Sequence, residues 1–253
     1  MSNIEKTTID TNERSFFNAL SNHWWNKNKI MFVALYRLNQ QILPFVCDQI
    51  RSTGIVKSGT CDGSLEGLHI LEVGCGGGFL SEELARKGCK LTAIDISGEL
   101  IDVAKQHALS DPTLPQIAYL QEAVEDHCKS NHQKYDVVIS NFVLEHVSDH
   151  DYFIKCCADC VKPGGSLILS AVAKTFWSWI YNILLPEYIF RLVPKGCHDY
   201  YKCINSSTTE KLIKSHGLEV KKTKGICYNP FVQDFLWVPF NSILYVTHSI
   251  RRN

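Results

Sequence analysis

The most restrictive feature of the chain is a cluster of glycines directly after a short apolar run. Residues 71–73 (Leu-Glu-Val) lead into Gly-Cys-Gly-Gly-Gly at 74–78, so four of five consecutive residues are glycine. Glycine lets the backbone turn tightly and lets a ligand lie against it without an intervening Cβ. An ordinary turn rarely needs so many glycines. The pattern predicts a strand, a loop and a helix, with a nucleotide-like ligand on the loop.

Apolar runs alternate with helical periodicity along most of the chain. Residues 14–50 have helical periodicity, and residues 51–67, rich in Ser, Thr and Gly, indicate a loop. The later alternation predicts an α/β domain with parallel strands and helices on both faces of the sheet. Seven strands are expected, at 68–73, 90–95, 116–121, 135–140, 164–172, 218–226 and 243–247. The chain divides into a helical extension and linker (1–67) and a domain (68–253) with an aromatic insertion (174–204).

Side chains around the loop indicate which ligand it binds. Asp95 ends the second strand, where a carboxylate can accept hydrogen bonds from ribose hydroxyls, as NAD and S-adenosylmethionine both require. Phe79 stands where a dinucleotide-binding loop has its third glycine, and Glu72 lies just before Gly74. A carboxylate there repels a pyrophosphate but suits a cationic methionyl group. S-adenosylmethionine is therefore favoured over NAD, with Glu72, Gly74, Gly76 and Asp95 as binding residues.

Charge and cysteine content exclude other classes of protein. Lys plus Arg equals Asp plus Glu at 26 each, so no net charge attracts nucleic acid. The 11 cysteines are odd in number and scattered, and no apolar signal sequence opens the chain, so they are interpreted as reduced thiols. Cys156, Cys157 and Cys160 have no second ligand pair to complete a zinc site, which favours a buried helix face.

Four motifs resemble the class I S-adenosylmethionine-dependent methyltransferases over residues 68–172. They are the glycine loop, the acidic end of the second strand, YDVVISNFVLEHV at 135–147 and VKPGGSLILS at 161–170. The resemblance implies a Rossmann-like, mostly parallel seven-stranded sheet whose last strand is antiparallel. One such fold supports many acceptors, so these motifs leave the acceptor open.

Motifs outside this region are more specific. HWWN and YRLN near the amino end, EYIFRLVPKGCHDYYK at 187–202 and GICYNPF at 225–231 are similar to the ubiquinone-biosynthesis O-methyltransferases. The similarity extends over residues 14–250. It implies methylation of phenolic hydroxyls on polyprenylated ubiquinone precursors, namely dihydroxybenzoates, hydroxyphenols and demethylubiquinol. It also implies that the methyl donor is contacted by Arg37, Gly74, Asp95 and Asn141.

The chemistry of methyl transfer points to a pair of residues after the fourth strand. A phenol has a pKa near 10, so it needs a base or a Lewis acid to become phenolate at neutral pH. Glu145 and His146 are the candidate catalytic residues, with His146 as base or with both holding Mg²⁺ or Zn²⁺. The metal-binding version of the family reads E-x-x-E-H, whereas this chain has Phe142 in place of the first Glu. A metal held by two ligands alone is expected to bind weakly.

The insertion contains an aromatic stretch at 174–195 with basic residues at its ends. Trp177 and Trp179 suit the headgroup layer of a membrane, and Pro186 prevents the stretch from spanning a bilayer. A peripheral membrane contact is favoured over a lid or a dimer contact. His198 and Tyr228 are candidate acceptor-lining residues.

The resemblance also bears on location and partners. It implies the matrix side of the mitochondrial inner membrane in a eukaryote, or the cytoplasmic membrane face in a bacterium, and a ubiquinone-biosynthesis protein complex as a partner. Residues 1–15 carry three acidic residues and do not resemble a transit peptide. Two other functions stay open: methylation of another small phenol or lipid, and a non-catalytic donor-binding scaffold subunit.

Overall fold

A computed structural model describes residues 6–56, 63–182, 184, 199–229 and 231–252 of the 253-residue chain. A single twisted sheet runs through it in the order β3-β2-β1-β4-β5-β8-β6-β7. The strands are β1 (His69–Val73), β2 (Lys90–Asp95), β3 (Ile117–Gln121), β4 (Tyr135–Asn141), β5 (Val161–Val172), β6 (Leu218–Asn229), β7 (Asp234–Val238) and β8 (Leu244–Arg251).

The first five strands are parallel, and the last three are antiparallel to their neighbours. The α/β class and the mostly parallel sheet are therefore confirmed. The sheet has eight strands rather than the seven predicted, because the short β7 was missed. Its residues form no alternating pattern, and they become a strand by pairing with the far end of β6.

The helices fall into an amino-terminal pair and a set that connects the strands. The single helical stretch predicted at 14–50 is two helices, α1 (Thr11–Leu20) and α2 (Ile30–Ser52). Asp10 begins α1 by accepting hydrogen bonds from two backbone amides of its first turn, a favourable N-cap. The other helices are α3 (Phe79–Arg86), α4 (Gly98–Leu109), α5 (Val124–Ser130), α6 (His150–Cys160), α7 (Phe176–Ser178) and α8 (Ser206–Ser215).

Apolar side chains cover both faces of the central strands, as expected for a parallel sheet. The long helix α2 contributes Ile42, Val46 and Ile50 to the cluster on one face. By length and composition alone α2 could cross a membrane, but these contacts make it a core helix. Cys157 and Cys160 are buried on α6, which confirms the helix-face interpretation.

The carboxyl edge of the sheet carries the loops that matter for function. The glycine loop follows β1, Asp95 ends β2, Asn141 ends β4, and a 3₁₀ turn at Leu144–His146 comes shortly after β4. Residues 7 and 8 reach this edge from the amino end. The amide of Thr8 and the hydroxyls of Thr7 and Thr8 donate to the buried carboxylate of Glu125 at 2.8–2.9 Å. The amino-terminal segment is thereby held beside the loops.

Candidate active site

A cavity of about 380 Å³ lies at the carboxyl edge of the sheet. Its lining has two chemical parts. Polar groups come from the ends of β1 and β2 and from the loops after β1 and β3, and apolar groups come from α2, the turn after β4, the end of β5 and the β6–β7 hairpin. The polar part includes Glu72, Gly74, Gly76, Asp95 and Glu122, and the apolar part includes Leu35, Leu38, Phe142, Val172, Tyr228 and Phe235.

The glycine loop has a conformation that side chains would disturb. Gly74 and Gly76 have φ angles of +74° and +54°, in the left-handed region that favours glycine. A Cβ on Gly74 would lie 2.3 Å from the side chain of Val143, and one on Gly76 would lie 2.4 Å from the ring of Trp24. The loop is therefore packed between the turn after β4 and an indole from the amino-terminal segment.

The indole of Trp25 contacts the same loop from outside the cavity. Trp25 donates its ring N–H to the carbonyl of Gly77 at 2.9 Å. Its ring stacks on that of His107, with the ring centroids 3.4 Å apart. The Nδ1 of His107 is hydrogen-bonded to a carboxylate oxygen of Glu82 at 2.6 Å. The HWWN motif thus acts through tertiary packing, which its local sequence does not reveal.

Asp95 is built into the loop as well as the cavity wall. Its carboxylate accepts hydrogen bonds from the backbone amides of Gly76 (2.8 Å) and Ser97 (2.9 Å). Burial raises the pKa of Asp95, and the hydrogen bonds from these backbone amides oppose that rise. A carboxylate offers about four acceptor positions, so two amides leave capacity for ligand hydroxyls.

Glu72 is a buried carboxyl group on the cavity wall. It accepts a hydrogen bond from the hydroxyl of Ser81 at 2.5 Å. Burial raises its pKa to about 8, with the nearby Asp95 adding to the rise and Ser81 opposing it. A cation bound beside Glu72 would favour its ionised form, since opposite charges at short range stabilise each other. This part of the cavity therefore fits a ligand with ribose hydroxyls and a positive charge.

The end of β4 is fixed by a chain of side-chain hydrogen bonds from α2. The amide of Asn141 donates to the side-chain oxygen of Asn39 at 2.7 Å, and the hydroxyl of Ser170 donates to Asn141. The same hydroxyl accepts the backbone N–H of Phe142 at 3.1 Å. Asn141 lines the cavity, and its side chain is held by α2 and β5.

His146 lies on the cavity wall in contact with α1. Its Nδ1 is 3.0 Å from a carboxylate oxygen of Glu13, and its ring meets the edge of Phe17 with centroids 4.9 Å apart. Lys202 donates to Glu13 at 2.9 Å and to Asp10 at 2.8 Å. Burial alone would raise the pKa of Glu13, but the bond from His146 and the contact with Lys202 outweigh burial and lower it.

Comparison with known proteins identifies the family. Residues 71–169 match a methyltransferase domain. The chain is 35% identical to the mitochondrial ubiquinone biosynthesis O-methyltransferase of Rattus norvegicus, over 96% of this chain and 70% of the relative. It is also 35% identical to the ubiquinone biosynthesis O-methyltransferase of Salmonella typhi, over 98% of both chains. The chain belongs to the ubiquinone biosynthesis O-methyltransferase family. It is thus an S-adenosylmethionine-dependent methyltransferase.

Solved structures agree on the fold. The magnesium protoporphyrin IX methyltransferase of Synechocystis PCC 6803 with bound SAH superimposes with a TM-score of 0.64 at 21% identity, over 94% of this chain and 97% of that one. The same enzyme with bound SAM also gives 0.64, at 20% identity over 97% and 99%. At this identity the match supports the fold alone.

Most of the residues predicted for the ubiquinone biosynthesis O-methyltransferase site come together. Those that line the cavity are Glu72, Gly74, Gly76, Asp95, Asn141, Glu145, His146 and Tyr228. Arg37 is not brought to it. Its side chain is exposed, and its guanidinium donates to the carbonyl of Gln233 in the β6–β7 turn.

The insertion is only partly described. Trp177 and Trp179 are exposed, by 58% and 36%. His198 lies outside the described residues. Sequence reasoning missed Glu13, Trp24, Asn39 and Lys202, which are distant in sequence from the residues that they contact.

A metal site is not supported by the donors present. Glu145 is buried, and it lines the cavity together with His146. Within the described ranges, no group of three or more His, Cys, Asp or Glu side chains is arranged to hold a metal ion. Phe142 supplies no ligand where the family pattern has a carboxylate. The described donor set does not fit a divalent ion.

Proposed function

We propose that this enzyme methylates a phenolic hydroxyl of a polyprenylated ubiquinone precursor, such as demethylubiquinol or a polyprenyl dihydroxybenzoate. The observation that carries the proposal is the Glu13–His146 pair on the wall of the same cavity that holds the glycine loop. S-adenosylmethionine supplies an electrophilic methyl group when bound. The names of the relatives at 35% identity support the choice of acceptor.

His146 is proposed as the general base. Because Glu13 occupies Nδ1, a proton taken from the phenol would go to Nε2. The carboxylate orients the ring and stabilises the imidazolium that forms, and Lys202 orients the carboxylate in turn. The apolar lining from α2 and the β6–β7 hairpin suits the ring and the first part of a prenyl chain.

We propose that Glu72, Gly74, Gly76 and Asp95 hold the methyl donor, with Asp95 at the ribose and Glu72 near the cationic end. Asn141 contributes beside them. The extension at 1–67 then belongs functionally to the methyltransferase domain at 68–253, since it supplies Glu13, Trp24 and Asn39 to one site. Arg37 would need to leave its contact with Gln233 to reach the donor, so the structure gives its predicted role no support.

The decisive experiment measures methyl transfer from labelled S-adenosylmethionine to a short-chain demethylubiquinol. His146→Ala should lose turnover by at least about a hundredfold while donor binding stays intact, because a general base contributes about 10²–10⁴. His132→Ala, an exposed histidine on the loop before β4, is the matched control. Full turnover in His146→Ala would show that His146 is not the general base. Turnover of soluble phenols alone would favour another acceptor, and donor binding without any turnover would favour a scaffold.

Chelator and added Mg²⁺ or Zn²⁺ form a second arm of this experiment. A chelator should leave the rate of methyl transfer unchanged. A rate abolished by the chelator and restored by one ion would support metal ligation by Glu145 and His146 instead.

We also propose that the enzyme binds a membrane peripherally through the insertion. Phe176 and Trp177 are exposed by 64% and 58%, and Lys174 lies two residues before Phe176. Aromatic rings with adjacent basic residues suit the headgroup layer, where a polyprenylated acceptor is available. The membrane would be the mitochondrial inner membrane, on its matrix side, or a bacterial cytoplasmic membrane, and a ubiquinone-biosynthesis complex could share it.

Sedimentation with vesicles of mixed zwitterionic and anionic lipids tests this contact. Trp177→Ser should reduce the bound fraction several-fold, because an indole carries much of the interfacial affinity. Leu109→Ser, which alters an even more exposed apolar residue at the end of α4, should leave it unchanged. Equal binding of both variants and the wild type would contradict the proposal.

A further inference from the structure

Phe142 has a backbone conformation that is unusual for a residue of its type. Its φ angle is +55°, in the left-handed region, which is disfavoured for a bulky side chain. The conformation is enforced by β5, since the amide of Phe142 donates to the hydroxyl of Ser170 at 3.1 Å and to its carbonyl at 3.2 Å. Strained residues held in this way cluster at ligand sites.

The surroundings of Phe142 indicate what the strain achieves. The residue lies between Asn141 and Val143, and Val143 is the side chain against which Gly74 packs. Phe142 itself lines the cavity and packs, half-buried, against the apolar cluster that also contacts Tyr228. It therefore stands where the polar, loop-lined part of the cavity meets its apolar part.

An aromatic acceptor must present its hydroxyl toward the donor side of this boundary and its prenyl chain toward the apolar side. A flat ring at the boundary gives such an acceptor a surface to pack on, and aromatic pairs have preferred offset or edge-to-face arrangements that restrict orientation. The turn at Leu144–His146 follows within a few residues, so the same backbone path also brings His146 to the cavity.

We infer that Phe142 is the ring platform of the acceptor site, a specificity-determining residue that orients the phenol for methylation. This inference rests on the proposed function. It assigns Phe142 to acceptor binding and not to donor binding. The network Asn39–Asn141–Ser170 serves to hold the platform in its left-handed conformation.

The test compares Phe142→Ala and Phe142→Gly in the full chain. Both remove the ring, but only glycine adopts a positive φ readily, so the glycine variant isolates the loss of the ring from the backbone effect. Each should raise KM for short-chain demethylubiquinol about tenfold, the change that corresponds to about 1.4 kcal/mol of lost contact. The Kd for S-adenosylhomocysteine should change less than about twofold.

Phe240→Ala, at a half-exposed ring outside the cavity lining, is the control and should leave both constants unchanged. The assignment would be overturned if Phe142→Gly left the KM for the acceptor unchanged, or if it weakened S-adenosylhomocysteine binding as much as acceptor binding. In either case, turnover of demethylubiquinol by the wild type would still support the proposed function. If the wild type fails to methylate any demethylubiquinol, the proposed function fails, and the assignment fails with it.

Discussion

Replacing Glu72 by glutamine should change how the stability of the free protein depends on pH. Glutamine has nearly the same shape and can still accept the hydrogen bond from Ser81, but it cannot ionise. In the folded protein burial raises the pKa of Glu72 to about 8, whereas its ordinary value is 4.5. The folded state therefore binds more protons than the unfolded state between these two values, so stability falls as pH rises through this window.

The magnitude follows from the linkage. One pKa unit corresponds to about 1.4 kcal/mol, and the excess of the folded state falls from nearly one proton at pH 6 to about half a proton at pH 8. The wild type should lose on the order of 2 kcal/mol of unfolding free energy over this range through Glu72. For a chain of this size that equals a fall in Tm of about 4–8 °C. Above pH 8 the contribution levels off.

Urea unfolding of the free enzyme at pH 6, 7 and 8 measures the effect. Between pH 6 and pH 8, Glu72→Gln should lose about 2 kcal/mol less unfolding free energy than the wild type. Glu66→Gln, at an exposed position before β1, should keep the wild-type slope. Parallel curves for Glu72→Gln and wild type would refute the reasoning that Glu72 is buried without a compensating charge.

Three further predictions concern the loop and the amino-terminal segment. Gly76→Ala places a Cβ 2.4 Å from Trp24 at a φ of +54°, so it should weaken S-adenosylhomocysteine binding at least about tenfold in calorimetry; unchanged affinity would mean that the loop and the indole move freely. Glu13→Gln should lower kcat at least about tenfold and leave the KM for the donor unchanged, and Glu13→Asp should restore part of the lost kcat. If Glu13→Gln has the same kcat as the wild type, Glu13 has no role in catalysis. Glu125→Gln loses the carboxylate that accepts three hydrogen bonds from residues 7 and 8, so tryptic cleavage within α1 should become several-fold faster than in Glu122→Gln. Equal cleavage would show that other contacts hold the segment.

The positions of residues were predicted correctly where they depend on spacing along the chain. The glycine loop, Glu72 and Asp95 lie at the ends of adjacent strands, and parallel strands bring such ends to one edge of the sheet. The cysteines of α6 were assigned to a buried helix face because no second pair of ligands completes a zinc site. The first five predicted strands lie close to the observed ones, whereas the helical stretch predicted at 14–50 is two helices and β7 forms only by pairing.

Tertiary structure decided which distant residues complete the site. Glu13 and His146 are 133 residues apart in sequence, and Asn39 and Asn141 are 102 apart. No periodicity relates such pairs, because their contact depends on how α1 and α2 fold over the edge of the sheet. The same packing places Arg37 on the exposed side of α2, beside Gln233, despite the role that resemblance gave it. The sequence by itself determined the α/β fold and the glycine loop, since these depend on local spacing and on glycine. Only the folded chain determined the partner of His146 and the strained Phe142, because both depend on contacts between elements far apart in the chain.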